Sequence, residues 1–274
     1  MSWGGGERLP IWNVSAGDAD VVLLGSVHMA FDDIYPLRQE IEDAYAAADH
    51  LVVEVDIGGA NTLAIQQSMF QRGLLPEGEL LSEQLSEPVW QALEKYIRSR
   101  GLPIEGFQVL RPGLVVLTLT TMRLMEMGMD PELGIDQHFL KAARGNKPIL
   151  ELETAQQQID LLLNFPDANL VVEQTLGQLD SIDLYMRPIY EAWKAGDAST
   201  LNRLLLEDEL AREPRYEAFY EAMFDNRNYA MVDKIAEYLA GSGRYFIVVG
   251  AGHLVGEKGI IALLEKRGFS ARQL

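Results

Sequence analysis

The chain contains no cysteine. This absence excludes disulfide bonds, thiolate metal ligands and cysteine nucleophiles together, and it leaves the redox compartment undecided. Histidine is scarce as well, with four in 274 residues. Any metal or acid–base chemistry in this chain therefore depends on a few imidazoles and on carboxylates.

Basic residues are also in short supply. Lys and Arg number 23 against 41 Asp and Glu, which gives a formal net charge of −18. Proteins that bind nucleic acids cluster Lys and Arg to meet the phosphates, so this balance speaks against a nucleic-acid partner. It fits a protein that acts on a neutral or cationic partner, such as a peptide or a small-molecule substrate.

Long apolar runs are missing too. The longest candidate, residues 113–121, soon meets Arg123 and Glu126 and is shorter than the roughly 18 residues of a membrane span. We therefore expect a soluble protein with no integral membrane segment. The first residues, MSWGGGERLP, lack the regions of a signal peptide, so we expect none in this chain. An exported or periplasmic location stays open if a leader is removed, and the oligomeric state is left open as well.

Short apolar stretches alternate with amphipathic helical patterns along the chain. Strands are predicted in PIWNVSAGDADVVLLG, HLVVEVD, KPILELET and RYFIVVGAGH, with helices between them. This order favours an α/β fold with a central mixed sheet flanked by helices. We expect a flexible terminus over residues 1–9, one domain over residues 10–274, and a helical insertion at about 165–240. A Gly-x-x-His strand end and a strand glutamate in each half predict two pseudo-repeated halves.

Two histidines stand in the same local context. His28 in GSVH and His253 in GAGH each lie three residues after a Gly that closes an apolar run. The Gly permits a sharp turn, and the imidazole then lies at the carboxyl end of a strand, where ligand sites gather in α/β sheets. Either histidine alone is typical of a strand-end residue bonded to nearby backbone. The repeated spacing predicts a shared site.

Glu54 lies in the apolar stretch VVEV. A buried carboxylate must be paired, protonated or bound to a metal, because an isolated buried charge is very unfavourable. Two imidazoles and one carboxylate are a common ligand set for a divalent transition metal such as Mn, Co or Zn. We therefore predict His28, Glu54 and His253 as metal ligands. The alternative is a salt bridge from Glu54 to Arg111 or Arg227.

Other polar residues have weaker signals. Glu153 ends the strand KPILELET, where a carboxylate could act as a general base toward a water or could orient its neighbours. Arg227 lies inside an amphipathic helix and could reach the site or stay on a solvated face. Asp136, at a helix start, is ordinarily a cap or a partner of the helix dipole. His50 and His138 are interpreted as a structural residue and a surface or packing residue.

These pieces together resemble the TraB/GumN family of the Tiki-like superfamily. The matching stretches run from about residue 10 to residue 270 and are PIWNVSAGDADVVLLGSVHMA, LVVEVD, GIDQHFLKAA, KPILELET, NRNYAM and VVGAGHLVGEKGIIALLEKRGF. The resemblance implies an α/β fold with duplicated halves and a divalent-metal-dependent hydrolase akin to the Tiki proteases. It assigns to the family's site positions His28, Glu54 and His253. It assigns to secondary motifs Asp136, Glu153, Arg227 and Asn228. One departure is Asn226, where the family more often has Glu.

Two functions from different classes follow. The first is a protease-like, metal-dependent hydrolase of a peptide or amide bond, with catalytic contributions from Glu54, Glu153 and Arg227. The second is a non-catalytic protein that binds haem or a peptide signal on the same scaffold, since the superfamily includes a haem-iron-binding branch. A purely structural role requires His28 and His253 to lie beyond roughly 10 Å from each other, because metal–His bonds are only about 2.1 Å long.

Overall fold

The computed structural model describes residues 8–57 and 62–274. Of the predicted flexible terminus, residues 1–7 lie outside the described residues. Leu9 is 2% exposed, and its N–H donates to the carbonyl oxygen of Leu274 (2.8 Å). Residue 9 is therefore packed into the folded structure.

A six-stranded mixed sheet forms the centre of the fold. Its strands are β1 (Ile11–Ala16), β2 (Asp18–Ser26), β3 (His50–Val53), β4 (Ile149–Glu151), β5 (Ser242–Gly250) and β6 (Ala271–Gln273), in the spatial order β4-β3-β5-β2-β1-β6. The four strands from β4 to β2 run parallel, and β1 runs antiparallel to both β2 and β6. The predicted α/β class is confirmed, whereas the duplication into two halves stays a prediction.

The first two strands form an antiparallel hairpin. Gly17 joins them with a φ of +55°, a left-handed conformation that glycine adopts without a steric penalty. Ala16 pairs with Ala19 beside this turn. β2 then pairs with β5 along its whole length, and the ladder ends with Ser26 opposite Gly250.

The parallel strands bring their carboxyl ends to one edge of the sheet. Glu54 follows β3 directly, and its carbonyl oxygen accepts a hydrogen bond from the N–H of Glu153 (2.9 Å), so the pairing of β3 and β4 continues past the strand ends. Ligand sites in parallel sheets gather at such an edge. The segments that continue from it carry His28, Glu54, Glu153 and His253.

Helices lie between the strands in the chain order. The first eight are α1 (Gln39–Ala47), α2 (Thr62–Gly73), α3 (Leu81–Gln84), α4 (Glu87–Ser99), α5 (Ile104–Gln108), α6 (Pro112–Glu126), α7 (Ile135–Ala143) and α8 (Ala155–Leu163). The rest are α9 (Ala168–Leu179), α10 (Ile182–Lys194), α11 (Ala198–Asn202), α12 (Asp208–Arg212), α13 (Glu217–Tyr220), α14 (Asn226–Ala240), α15 (Ala251–Leu254) and α16 (Ile260–Lys266). Single 3₁₀ turns lie at Asp32–Ile34, Pro131–Leu133 and Pro214–Tyr216, and π-helical turns at Arg203–Glu207 and Glu221–Asp225.

The described residues form two compact units. The first consists of residues 8–57, 128–154 and 186–274 and contains the whole sheet. The second consists of residues 62–127 and 155–185 and carries helices α2–α6, α8 and α9. The stretch predicted as a helical insertion at about 165–240 is mostly helical, and the boundary between the units divides it after residue 185.

The core of the first unit packs against one face of the sheet. Leu23, Val52 and Ile247 point to this face from three adjacent strands and are fully buried. Ile235 of α14 and Leu264 of α16 cover them. Burial of one such aliphatic side chain contributes about 1.5–3 kcal/mol. This packing fixes the strands whose ends carry the candidate site.

Candidate functional site

His28 follows β2 and is held by a carboxylate from α7. Its Nδ1 lies 2.9 Å from Asp136 Oδ2, while Asp136 Oδ1 accepts a hydrogen bond from the hydroxyl of Ser26 (3.0 Å). Because the carboxylate accepts, Nδ1 of His28 carries a proton and Nε2 is left for another partner. The attraction of Asp136 raises the pKa of His28. The imidazole is 64% exposed, so solvent screens part of that effect.

The C-terminal turns of α10 anchor the loop that carries this histidine. Trp193 Nε1 donates to the carbonyl oxygen of Gly25 (2.7 Å). Tyr190 donates through its hydroxyl to Asp33 Oδ1 (2.9 Å), and the buried Lys194 pairs with Asp33 Oδ2 (3.1 Å). These bonds hold the end of β2 and the 3₁₀ turn at Asp32–Ile34, which lie on either side of His28.

His253 has a different environment. β5 ends at Gly250, so His253 lies in the short helix α15 and not in the strand itself. Its Nδ1 lies 2.6 Å from Asn228 Oδ1, and Asn228 Nδ2 donates to the carbonyl oxygen of Lys258 (2.9 Å). This second bond fixes the amide, so Nδ1 of His253 is the donor and Nε2 keeps its lone pair. Burial lowers the pKa of His253 to about 4, and the ring is neutral at pH 7.

Glu54 is 7% exposed and both of its oxygens are engaged. Oε1 accepts the N–H of Gly250 (2.7 Å), and Oε2 accepts Nη2 of Arg227 (2.7 Å). The salt bridge weighed as an alternative from the sequence is thus present with Arg227. Burial alone would raise the pKa of Glu54, but the neighbouring imidazoles, the guanidinium and the Gly250 N–H outweigh it and lower that pKa. Glu54 is therefore an ionised, buried carboxylate.

Arg227 joins two buried carboxylates. Its Nε donates to Glu153 Oε1 (2.8 Å) and its Nη2 to Glu153 Oε2 (2.6 Å), in addition to the bond to Glu54. Nη1 donates to the carbonyl oxygen of Met223 (2.9 Å), one turn back along the chain. Four bonds from one planar group fix its position, and the group in turn fixes both glutamates.

The functional atoms of three residues converge in front of Gly250. A Cβ placed on Gly250 would lie 3.4 Å from Glu54 Oε1, 3.5 Å from His28 Nε2 and 3.6 Å from His253 Cδ2. His28 Nε2 and His253 Cδ2 both lie within 3.6 Å of this one point, so the distance between these two atoms cannot exceed twice 3.6 Å. The wide separation that a purely structural role requires is not observed.

The donor chemistry of this group fits a divalent metal. His253 Nε2 and Glu54 Oε1 are 3.8 Å apart. One ion can bridge donors up to about 4.2 Å apart, twice a bond length of about 2.1 Å. Each imidazole is held through Nδ1 by a side-chain oxygen, which is the usual support for a histidine that binds metal through Nε2. Within residues 8–57 and 62–274, however, no three such side chains are already placed to hold an ion, so His28 would have to approach the other two.

Other predicted residues lie elsewhere. His50 begins β3, at the opposite end of that strand from Glu54, and stacks on Tyr245. His138 binds Glu42 Oε1 through Nε2 (2.9 Å). Arg111 donates through Nε to the carbonyl oxygen of Arg72, so it is not the partner of Glu54 in the described residues. Asn226, the departure from the family pattern, is exposed at the start of α14.

Some contributors were not singled out from the sequence. The buried hydroxyl of Ser26 lies within the GSVH motif, and its position beside a strand-end histidine was a usable signal. Tyr190 and Lys194 belong to an ordinary amphipathic helix pattern, and nothing in that pattern indicates that they anchor the loop after β2. None of the helices in the described ranges has the length and apolar character needed to cross a membrane.

The chain is similar to known proteins over nearly its whole length. The TraB/PrgY/gumN family matches residues 10–273. The chain is 28% identical over 250 residues to protein YbaP of Escherichia coli strain K12, covering 90% of this chain and 89% of that one. It is 29% identical over 244 residues to YbaP of Shigella flexneri, covering 88% and 86%.

A more distant relative has a named activity. The chain is 20% identical over 298 residues to a metalloprotease TIKI homolog of Nematostella vectensis, covering 89% of this chain and 63% of that protein. No solved structure matches. The family match spans nearly the whole chain, including every predicted site residue. This chain belongs to the TraB/PrgY/gumN family and is distantly related to a TIKI metalloprotease homolog.

Proposed function

We propose that this protein is a divalent-metal-dependent hydrolase that cleaves a peptide or amide bond, with His28, Glu54 and His253 as the metal ligands. The observation that carries the proposal is the convergence of two imidazoles and one carboxylate at Gly250. The distant relation to a metalloprotease TIKI homolog supports it. Mn, Co and Zn are the candidate ions, because a set of two histidines and one carboxylate suits each of them.

The residues around this set prepare the ligands. Asn228 keeps the proton of His253 on Nδ1, and burial keeps the ring neutral, so Nε2 offers a lone pair. Asp136 orients His28 through Nδ1, but its charge raises the pKa of His28, so a metal would have to displace the proton from Nε2 of that ring. The ring of His28 is exposed, and in this proposal it moves toward Glu54 and His253 when a metal binds. A divalent cation held there would polarise a carbonyl group and make a water more acidic.

Glu153 and Arg227 have a supporting role in this proposal. Both oxygens of Glu153 accept from Arg227, and three nitrogens of Arg227 are committed to protein acceptors. A carboxylate held in this way is a poor general base, because its lone pairs already face a cation. We therefore assign Arg227 and Glu153 as positioning residues that hold Glu54 Oε2 and leave Oε1 on the side of the imidazoles.

Metal uptake tests the ligand set directly. The protein is stripped with a chelator and titrated with Co²⁺, and visible absorption follows the ion into the site. We expect His28→Gln and His253→Gln to weaken Co²⁺ binding by at least about tenfold, as even supporting groups of metal sites have effects of that size. His50→Gln is the matched control, and we expect it to bind Co²⁺ like the parent. His50 lies four residues from Glu54 along an extended chain, about 13 Å away.

Cleavage tests the reaction. The metal-loaded protein is incubated with a peptide mixture, and products are identified by mass spectrometry with and without chelator. Loss of cleavage on chelation and in His253→Gln is the expected result. Failure to take up Mn, Co or Zn, or cleavage that His28→Gln leaves unchanged, would contradict the proposal. A Soret shift on addition of haem, without peptide cleavage, would instead favour the haem-binding alternative.

A further inference from the structure

The second unit contains a cavity in which two arginines meet. Its volume is about 480 Å³, within the range of small-molecule sites. Arg72 and Arg111 line it, and none of the lining residues that the structure describes is acidic. The lining therefore differs from the chain as a whole, in which 41 acidic residues outnumber 23 basic ones.

Arg72 carries a buried donor with no acceptor. Its Nη2 pairs with Asp160, but its Nη1 is buried and has no hydrogen-bond partner in the described part of the chain. Buried polar groups are nearly always bonded, and an exception commonly marks the place of a water or an ion. An oxygen seated beside this nitrogen would remove a penalty that the protein otherwise carries.

Arg111 is held rigidly beside it. Its backbone N–H donates to the carbonyl oxygen of Gly73 (2.7 Å), and its Nε donates to the carbonyl oxygen of Arg72 (3.0 Å). The first bond holds the backbone of Arg111 and the second orients its guanidinium, while the terminal nitrogens have no acid partner among the residues described. A guanidinium oriented in advance loses little entropy when it binds a planar carboxylate through two parallel bonds.

The remaining walls indicate what the carboxylate is attached to. Leu75 and Leu163 offer apolar surface, and Gln71 and Asn164 offer amides. Because Asp160 offsets one of the two positive charges, the cavity has a net charge of about one, which matches a monoanion better than a dianionic phosphate. A carboxylate that carries an apolar side chain and an amide is the C-terminal residue of a peptide.

We propose that this cavity binds the C-terminal carboxylate of a peptide whose last residue has a leucine-sized apolar side chain. The carboxylate binds the guanidinium groups of Arg72 and Arg111, the side chain packs on Leu75 and Leu163, and the last amide meets Asn164. Capture of a terminal carboxylate is a recurrent mode of peptide recognition. This proposal is independent of the proposed metal site, and its test does not require a bound metal.

Calorimetry with a matched ligand pair tests it on the intact chain. N-acetyl-leucine carries the carboxylate, and N-acetyl-leucinamide has the same shape without the charge. We expect the acid to bind with a Kd on the order of millimolar, as suits a ligand of this size. The amide should bind at least about tenfold more weakly, because charge-assisted hydrogen bonds are lost. Equal binding of acid and amide, or no binding of the acid, overturns the proposal.

Variants locate the binding. Arg111→Met keeps the alkyl stem and should weaken binding of N-acetyl-leucine by about tenfold. Arg98→Met is the control and should leave this binding unchanged, because Arg98 lies on the exposed face of α4 in the same unit. If Arg111→Met fails to fold, Arg111→Lys is used, since it keeps the charge and loses the planar fork, and a severalfold loss is expected. Unchanged binding in a folded Arg111 variant, or displacement of N-acetyl-leucine by inorganic phosphate at equal concentration, overturns the proposal.

Discussion

The ends of β2 and β5 have the same Gly-x-x-His motif and are neighbours in the sheet, but their histidines differ. His28 is 64% exposed and bonds to the carboxylate of Asp136, whereas the side chain of His253 is 4% exposed and bonds to the amide of Asn228. The pKa of the first is raised and that of the second is lowered. The motif places each imidazole, and its surroundings decide the protonation state.

The glycines that begin the two motifs also have different surroundings. A Cβ on Gly25 would lie 3.1 Å from Ala251 Cα, so this glycine permits close packing between β2 and α15. A Cβ on Gly250 would make only ordinary contacts, and those contacts are with the three groups of the candidate metal site. One motif glycine therefore serves the core and the other keeps space open for chemistry.

The largest difference between the two ends is the buried charge beside β5. Arg227→Met removes the guanidinium from two carboxylates, Glu54 and Glu153, that are both less than 10% exposed. Removal of one partner from a buried ion pair typically costs about 3–5 kcal/mol, because the other charge stays buried. We expect a loss of that size in the free energy of unfolding, measured by urea denaturation at neutral pH.

Two further variants serve as controls for the loss of stability expected in Arg227→Met. Arg98→Met breaks an exposed pair with Glu94 and should change the free energy of unfolding by less than about 1 kcal/mol. Asp136→Asn keeps the shape of the partner at the exposed end and should cost less than Arg227→Met. A similar loss in the free energy of unfolding of all three variants would show that the buried charges at the end of β5 do not contribute more to stability than the other ion pairs.

Substitution of the two motif glycines should separate stability from metal binding. Gly25→Ala overpacks the contact with Ala251 and should cost about 1–3 kcal/mol in the free energy of unfolding. Gly250→Ala should change that free energy by less than about 1 kcal/mol, since loss of chain entropy in the unfolded state offsets small strain. Its methyl group occupies the space between the three ligands, so Co²⁺ binding should be lost. If both variants bind Co²⁺ like the parent, Gly250 does not border the metal position.

Much of the sheet could be predicted from local pattern. The apolar runs around Leu23, Val52 and Ile247 are bounded by polar or glycine-rich turns, and these runs became the three central strands. β6 was not predicted, because ARQ has no apolar alternation and becomes a strand only by pairing with β1. Its partner β1 lies at the opposite end of the chain, with Trp12 paired to Gln273, so no local signal specifies the pairing.

The candidate site was predictable to a similar degree. The repeated Gly-x-x-His spacing indicated His28 and His253, and burial of Glu54 required a partner. Which arginine would pair with Glu54 could not be chosen, because Arg227 reaches it only through the packing of α14 on the sheet. Asp136 looked like an ordinary helix start, and its bond to His28 depends on how α7 docks beside the end of β2.

The smallest expected effect is the most direct measure of the contrast between the two imidazoles. In protein stripped of metal, NMR titration between about pH 5 and pH 9 should show His28 taking up its proton above the ordinary histidine pKa, and His253 staying neutral over nearly all of that range. Exchange of the partners tests the cause. Asp136→Asn should lower the pKa of His28, because the carboxylate that stabilises the imidazolium is gone, and Asn228→Asp should raise the pKa of His253 for the converse reason. Should both rings titrate alike in the parent, or should the exchanges leave the two pKa values unmoved, the partners at Nδ1 do not set the difference between the strand ends.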